Sequence, residues 1–240
     1  MIDLSDHVVL VTGASRGFGH ASARALAARG AHVIAVARTV GGLEALDDAI
    51  KAAGGTTPVL VPLDLTDDGG VMRMGAALYE RFGRVDLWLH TAAHAPFLSR
   101  VVQATEKDLD ATLALNIRAF QRLVRATDPL LRLAPGRRGL ALIATEDRAG
   151  QPFWGLYAAA RAAQSALTQA WAREAQADFT VAEVVPPEMA TALRSRFYPN
   201  PDRQSLTTIE DAAGALVAAL AERPAPGARL VLPARPTGTG

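Results

Sequence analysis

Thr12-Gly13-Ala14-Ser15-Arg16-Gly17-Phe18-Gly19 follows the apolar run Val8-Val9-Leu10-Val11 and precedes a helical run from Ala21 to Arg29. An apolar strand that feeds a glycine-rich turn and opens a helix is a dinucleotide-binding layout. One glycine permits the tight turn, one lets backbone approach a pyrophosphate, and one lets the new helix pack close to the strand. The pyrophosphate then rests on the unpaired N–H groups at the helix start.

Outward from this turn, strand and helix keep alternating. His32 to Ala37 reads as a strand buried on both faces and Gly41 to Ala53 as a helix ended by Gly54-Gly55. Pro58 to Leu63 is a third strand, followed by a helix from about Val71 to Phe82, with Gly83 as its stop. Val85 to His90 is the fourth strand and Gly139 to Thr145 the fifth, separated by a long helical region from about Glu106 to Leu133 that is punctuated by Pro129. Trp154 to Ala175 is an alanine-rich helix, Thr180 to Val185 a sixth strand, Ile209 to Glu222 a helix and Ala228 to Leu232 a last strand. The pattern predicts a Rossmann-type α/β fold: a doubly wound parallel sheet of about seven strands, helices on both faces, in one domain over 1–240. The rhythm breaks from 190 to 208, where Phe197, Tyr198, Pro199 and Pro201 read as a loop or short helices over the mouth of a site.

Composition narrows the function classes. The 240 residues include 25 basic and 24 acidic side chains spread along the chain, without a basic stripe for nucleic acid or a polybasic membrane anchor. No apolar run approaches the roughly 20 residues that span a bilayer. Cysteine is absent, which excludes disulfides, thiolate catalysis and cysteine-ligated metals. The acidic opening Met1-Ile2-Asp3-Leu4-Ser5-Asp6 runs directly into the first strand, so no targeting segment and a cytoplasmic location are expected.

Nucleotide choice is read about 20 residues beyond the turn, where a carboxylate would hold the adenosine ribose and repel a 2′-phosphate. This chain has Ala37-Arg38-Thr39 there, and Arg16 lies in the turn itself. Two guanidinium groups and no carboxylate predict NADP(H).

These motifs together resemble the short-chain dehydrogenase/reductase family over essentially the whole chain. Its T-G-x-x-x-G-x-G is matched by Thr12, Gly13, Gly17 and Gly19, its acidic residue after the third strand by Asp64, and its asparagine on the central helix by Asn116. Its proline-glycine segment with a later threonine is partly matched by Pro186-Pro187-Glu188-Met189-Ala190-Thr191. The resemblance implies cofactor contacts from Gly13, Ser15, Arg16, Gly17, Phe18 and Gly19, from Arg38, Asp64, Leu65 and Ala92, and from Pro186 and Thr191. It implies hydride transfer between nicotinamide and a carbonyl or alcohol carbon of a small molecule, in a homo-oligomer, dimer or tetramer.

The family's Y-x-x-x-K is Tyr157-Ala158-Ala159-Ala160-Arg161 here. Residues four apart share a helix face, so phenol and cation are expected to point into one cleft. In the family the cation lowers the tyrosine pKa; arginine keeps that field but relays no proton. The family's polarising serine falls near Ile143-Ala144-Thr145-Glu146-Asp147, on Ala144 by spacing or on Thr145 after a one-residue deletion. Thr145 is chosen for its hydroxyl. Glu146 and Asp147 either act on a substrate amine or, the favoured reading, face water, and Asn116 is expected to order a water. The family's N-N-A-G becomes His90-Thr91-Ala92-Ala93, and Pro187 replaces a glycine. His90 and His94 straddle a strand end without a third ligand and are read as polar-contact or core histidines, with no metal expected. Phe97, Trp154, Phe197 and Tyr198 point to an apolar pocket or to lid packing. The expected activity is an NADP(H)-dependent oxidoreductase with Tyr157 as general acid/base; the alternative is an NADP(H)-binding sensor or interaction protein with little turnover.

Overall fold

Strand β1 (Val8–Thr12) is buried along its whole length and lies inside a seven-stranded parallel sheet of order β3-β2-β1-β4-β5-β6-β7. The computed structural model describes residues 2–198 and 206–234. The other strands are β2 (His32–Ala37), β3 (Val59–Pro62), β4 (Leu87–His90), β5 (Leu140–Ala144), β6 (Thr180–Val185) and β7 (Arg229–Val231). Helices α1 (Gly17–Ala27), α2 (Val40–Ala52) and α3 (Asp68–Phe82) follow the first three strands, and α4 (Glu106–Leu113) and α5 (Phe120–Arg132) join β4 to β5. Helix α6 (Gly155–Ala175) joins β5 to β6, and α7 (Ala192–Phe197) and α8 (Ile209–Ala219) lie between β6 and β7.

The strand pleat divides the core. Val9 and Val11 pack with Leu26, Leu43 and Leu216 on the face covered by α1, α2 and α8, while Val8 and Leu10 pack with Trp88, Phe120, Leu123 and Trp171 on the other. With both faces covered, the central strands are continuous apolar runs, which is why they were legible.

Three boundaries differ from the sequence expectation for identifiable reasons. β4 starts at Leu87 because Asp86 turns its carboxylate to the Val8 amide, at 2.9 Å. The long helix is continuous through Pro129, which sits in the last turns of α5 and removes a single donor. Its irregularity falls earlier, in a π-helical turn at Ala114–Ala119 that carries Asn116. In the 190–208 excursion, α7 is helical, whereas Pro199 and Pro201 lie outside the described residues.

Parallel strands send their chains left and right of the β1–β4 boundary, which opens a crevice beyond the carboxyl ends of both. Thr12 is level with Val36 on one side and His90 on the other, so three strands end together beneath that crevice.

Candidate active site

A cleft of about 900 Å3 occupies this crevice. At its floor Gly13 has φ +91°, and a side chain there would come within 2.7 Å of both the Ala92 amide nitrogen and the Thr91 hydroxyl. Only glycine fits that conformation and that closeness. Gly17, at φ +61°, faces Thr191 across the cleft, and Gly19 sits against the Thr91 hydroxyl and the Gly13 carbonyl, drawing α1 down onto the sheet.

Helix α1, like α2 and α6, starts without a side-chain cap or an acidic residue in its first turn, unlike α3, α4 and α8, and it alone opens directly from the glycine turn. Side-chain oxygens of Asp67, Thr105 and Thr208 cap α3, α4 and α8 by accepting from Gly70, Asp108 and Asp211 at 3.0, 3.1 and 3.0 Å. Helix α1 begins after Arg16 with no side-chain cap and no acidic residue in its first turn. Its free N–H groups and dipole, in a turn whose residues 15–19 line the cleft, suit an anion.

At the cleft rim, the Arg38 guanidinium is 81% exposed and stands 3.8 Å from Asp64. Asp64 accepts from the Thr66 amide at 2.9 Å and its hydroxyl at 2.7 Å, bonds that hold its carboxyl below the usual range. An ion pair so loose and exposed leaves Arg38 free to turn to a ligand phosphate. Leu65, Ala92 and Pro186 complete this wall, and Thr191 adds its methyl group while its hydroxyl caps α7.

The other half of the cleft is closed by aromatic rings. Tyr157 and Arg161 lie one turn apart on α6, with the guanidinium carbon 5.6 Å from the phenol ring centroid. Tyr157 is only 1% exposed, under Phe197 at 5.1 Å and Trp154 at 6.0 Å, and is not among the residues that line the cleft. Its hydroxyl donates to Glu146 Oε1 at 2.5 Å. Burial pushes the phenol pKa up, and the Glu146 carboxylate adds to this, against an opposing pull from Arg161. Glu146 Oε2 accepts from Arg148 at 2.9 Å, Arg148 reaches Glu188 at 3.5 Å, and Glu188 pairs with Arg194 of α7 at 3.0 Å. An ionic chain thus runs from the tyrosine to the helix above it.

Residues 7–202 match the family model of the short chain dehydrogenases. The chain belongs to that family. Among curated relatives, the uncharacterized oxidoreductase YciK of Escherichia coli K12 is 28% identical over 210 residues, 87% of this chain and 83% of the relative. A short-chain dehydrogenase of Shigella flexneri solved with NADP superposes with a TM-score of 0.88 at 27% identity, covering 95% of this chain and 97% of the other. One from Escherichia coli CFT073, solved with NADPH, gives 0.87 at 26% identity over 95% and 97%.

Against the family pattern, this short-chain dehydrogenase brings the expected residues together but orients several differently. Gly13, Ser15, Arg16, Gly17, Phe18, Gly19, Arg38, Asp64, Leu65, Ala92, Pro186 and Thr191 all line one cleft, as do Thr145 and Arg161. The expectation that the phenol opens into that cleft and is tuned downward is corrected: the aromatic cover shuts it in, and burial outweighs the guanidinium. Arg161 itself turns partly inward, its Nη1 donating to Gln164 Oε1 at 2.6 Å.

Asn116 is tied to the loop after β4. Its side-chain oxygen accepts from the His94 N–H at 2.7 Å and its amide nitrogen donates to the His94 carbonyl at 2.9 Å, so both polar atoms splint the loop after β4. Thr145 and Ala144 both face the cleft; Thr145 extends the sheet by donating its N–H to Val184 at 2.9 Å and brings the hydroxyl. His90 is a core histidine, 2.8 Å from the Thr12 hydroxyl and tilted against the rings of Trp88 and Phe120. Of the four aromatics, Trp154, Phe197 and Tyr198 form the lid packing, while Phe97 is exposed under Arg196.

Glu146, expected to face water, is 27% exposed at the cleft but is also held by protein partners. Its two oxygens serve Tyr157 and Arg148. The available signal was its place directly after the fifth strand, where the chain meets the cleft; its direction is set by a ten-residue loop that carries no periodicity.

Proposed function

We propose that this short-chain dehydrogenase is an NADP(H)-dependent oxidoreductase, a single domain that interconverts a carbonyl and a secondary alcohol of a small molecule. The observation that carries the proposal is the uncapped, acid-free start of α1 in a glycine turn flanked by Arg16 and Arg38. That donor set fits a dinucleotide bearing an extra phosphate: helix N–H groups for the pyrophosphate, arginines for the 2′-phosphate, and Asp64 with Leu65 at the adenine. The NADP and NADPH found in the two solved relatives support the same choice.

NADP(H), when bound, supplies or accepts the hydride. The chain's own residues do the rest. Pro186 and Thr191 flank the nicotinamide position, Arg161 supplies a fixed positive field at the inner wall, and Thr145 offers a hydroxyl to the substrate oxygen. Asn116 keeps the loop after β4 in place. Proton transfer belongs to the Tyr157–Glu146 pair. Helix α6 leaves Ala159, Ala162 and Ala166 exposed along one side, small residues that support homo-oligomer formation by close helix approach.

The shut-in phenol favours the second reading, an NADP(H)-binding protein that senses redox state or joins a complex with little turnover. NADPH affinity by fluorescence, measured beside turnover of a panel of carbonyls and secondary alcohols for wild type and Arg161→Lys, separates the two. The oxidoreductase reading expects turnover by wild type. Micromolar NADPH binding with turnover only in Arg161→Lys, or in neither protein, gives the sensor reading the lead.

A further inference from the structure

Apolar side chains left in solvent gather at one place on this molecule. Among the described residues ten large ones are exposed, and four of them, Phe97, Val101, Val102 and Phe153, stand 54–89% exposed on two neighbouring segments. The segments are stitched together. The Ser99 amide donates to the Phe153 carbonyl at 3.1 Å, and Val101 packs so close to Gly155 that a side chain there would come within 2.8 Å of it. Single apolar residues on a surface need no explanation, but a contiguous group marks a place where something apolar binds.

Phe153 adds a second observation. Its backbone has φ +72°, in the left-handed region that bulky side chains avoid, and yet the ring is left 54% exposed. Strain that brings no burial is characteristic of functional segments.

The patch is continuous with the cleft. His94 and Ala95 line the cleft just before Phe97, and Asp147 and Arg148 line it at the start of the loop that leads to Phe153. Arg196 of α7 lines it too, and its guanidinium lies over the Phe97 ring at 4.7 Å. Both segments that carry the patch therefore leave from the cleft wall. We propose that the patch is the outer half of the substrate site and that the substrate is a carbonyl compound, or its alcohol, with a long apolar chain. The reacting carbon sits inside the cleft, and the chain leaves past Phe97 over Val101, Val102 and Phe153.

This inference rests on the oxidoreductase reading, and its test keeps the two apart. NADPH-dependent reduction of 2-butanone, 2-hexanone, 2-octanone and 2-decanone is compared in wild type, Phe97→Ser/Val102→Ser and Phe153→Gly, with NADPH affinity showing that each variant is folded. In wild type kcat/KM is expected to rise about two- to fourfold for each added methylene over the longer members. The ratio of 2-decanone to 2-butanone should drop about tenfold in the double variant and about threefold in Phe153→Gly, whose denaturant midpoint should not fall, because glycine adopts the positive φ freely. A flat series in wild type, a ratio unmoved by the double variant, or a Phe153→Gly that loses stability and keeps the ratio overturns the inference. So does a double variant that keeps the ratio but sediments as a smaller oligomer, which makes the patch a contact between copies. Bound N-phenyl-1-naphthylamine reads the same surface without turnover: 2-decanone should displace it from wild type and 2-butanone should not, and the double variant should bind it about tenfold more weakly. If this displacement is seen while no carbonyl is reduced and no alcohol oxidised, the oxidoreductase reading falls and the apolar-chain site stands. Turnover without chain selectivity sinks the inference alone, and neither turnover nor displacement sinks both.

Discussion

Arg38 shows how one side chain can be read from sequence and then located in space. It was legible because the position where a carboxylate would exclude a 2′-phosphate holds a cation, and in the fold it reaches the cleft rim with only a loose tie to Asp64. Arg38→Asp should weaken NADPH at least tenfold relative to NADH, and equal loss for both nucleotides would remove Arg38 from the phosphate site. His90 makes a different point. Burial, with a smaller push from Arg161, lowers its pKa from 6.5 to about 3, so the native protein excludes a proton that the unfolded chain accepts. The linked stability is full above pH 6.5 and falls as the medium is acidified towards pH 3, by about 1.4 kcal/mol for each pH unit from this residue. Denaturant midpoints measured from pH 7 to pH 4 should fall less steeply in His90→Asn. Glu146 was the residue that sequence could not place: its identity is plain, but whether it faces water or a phenol depends on contacts made by a different helix.

At the scale of elements, the central strands announced themselves because they are apolar on both faces, and the glycine turn because its geometry tolerates no other residue. Helix α7 was less legible. It is six residues long, and its role comes from where Phe197 lands, 4.3 Å from Trp154 and over Tyr157. Such tertiary stacking leaves no trace in local periodicity. Since burial is the first cause of the raised phenol pKa, Phe197→Ala should let water reach Tyr157 and bring its ionisation to lower pH. Absorbance titration of the phenol, assigned by difference from Tyr157→Phe, reads this, and an unchanged curve would mean that Trp154 alone keeps the phenol dry.

For the whole molecule, the sheet separates a working end from a holding end. Opposite the cleft, the fully buried Asp86 carboxylate accepts from the Val8 amide at 2.9 Å and from Arg84 and Arg138 at 3.0 and 2.9 Å. It ties the starts of β1, β4 and β5 together. Asp86→Ala strands a backbone N–H and two half-exposed cations, and should cost about 2–4 kcal/mol in stability. NADPH affinity of the protein that remains folded should change little; a parallel loss would show that strand starts and cleft move as one. Strand order and parallel sense were legible from alternation, whereas this clamp was not, because Asp86 is separated from its partners by up to 78 positions along the chain. The three tryptophans are divided between the core and the cleft. Trp88 and Trp171 face each other deep in the core, at 5.9 Å, while Trp154 touches Arg148 and Phe197 at the cleft. The molecule therefore carries its own optical gauge: in a Trp88→Phe, Trp171→Phe background, emission from Trp154 alone would report every ligand that lifts or settles the aromatic cover, whether or not any chemistry follows.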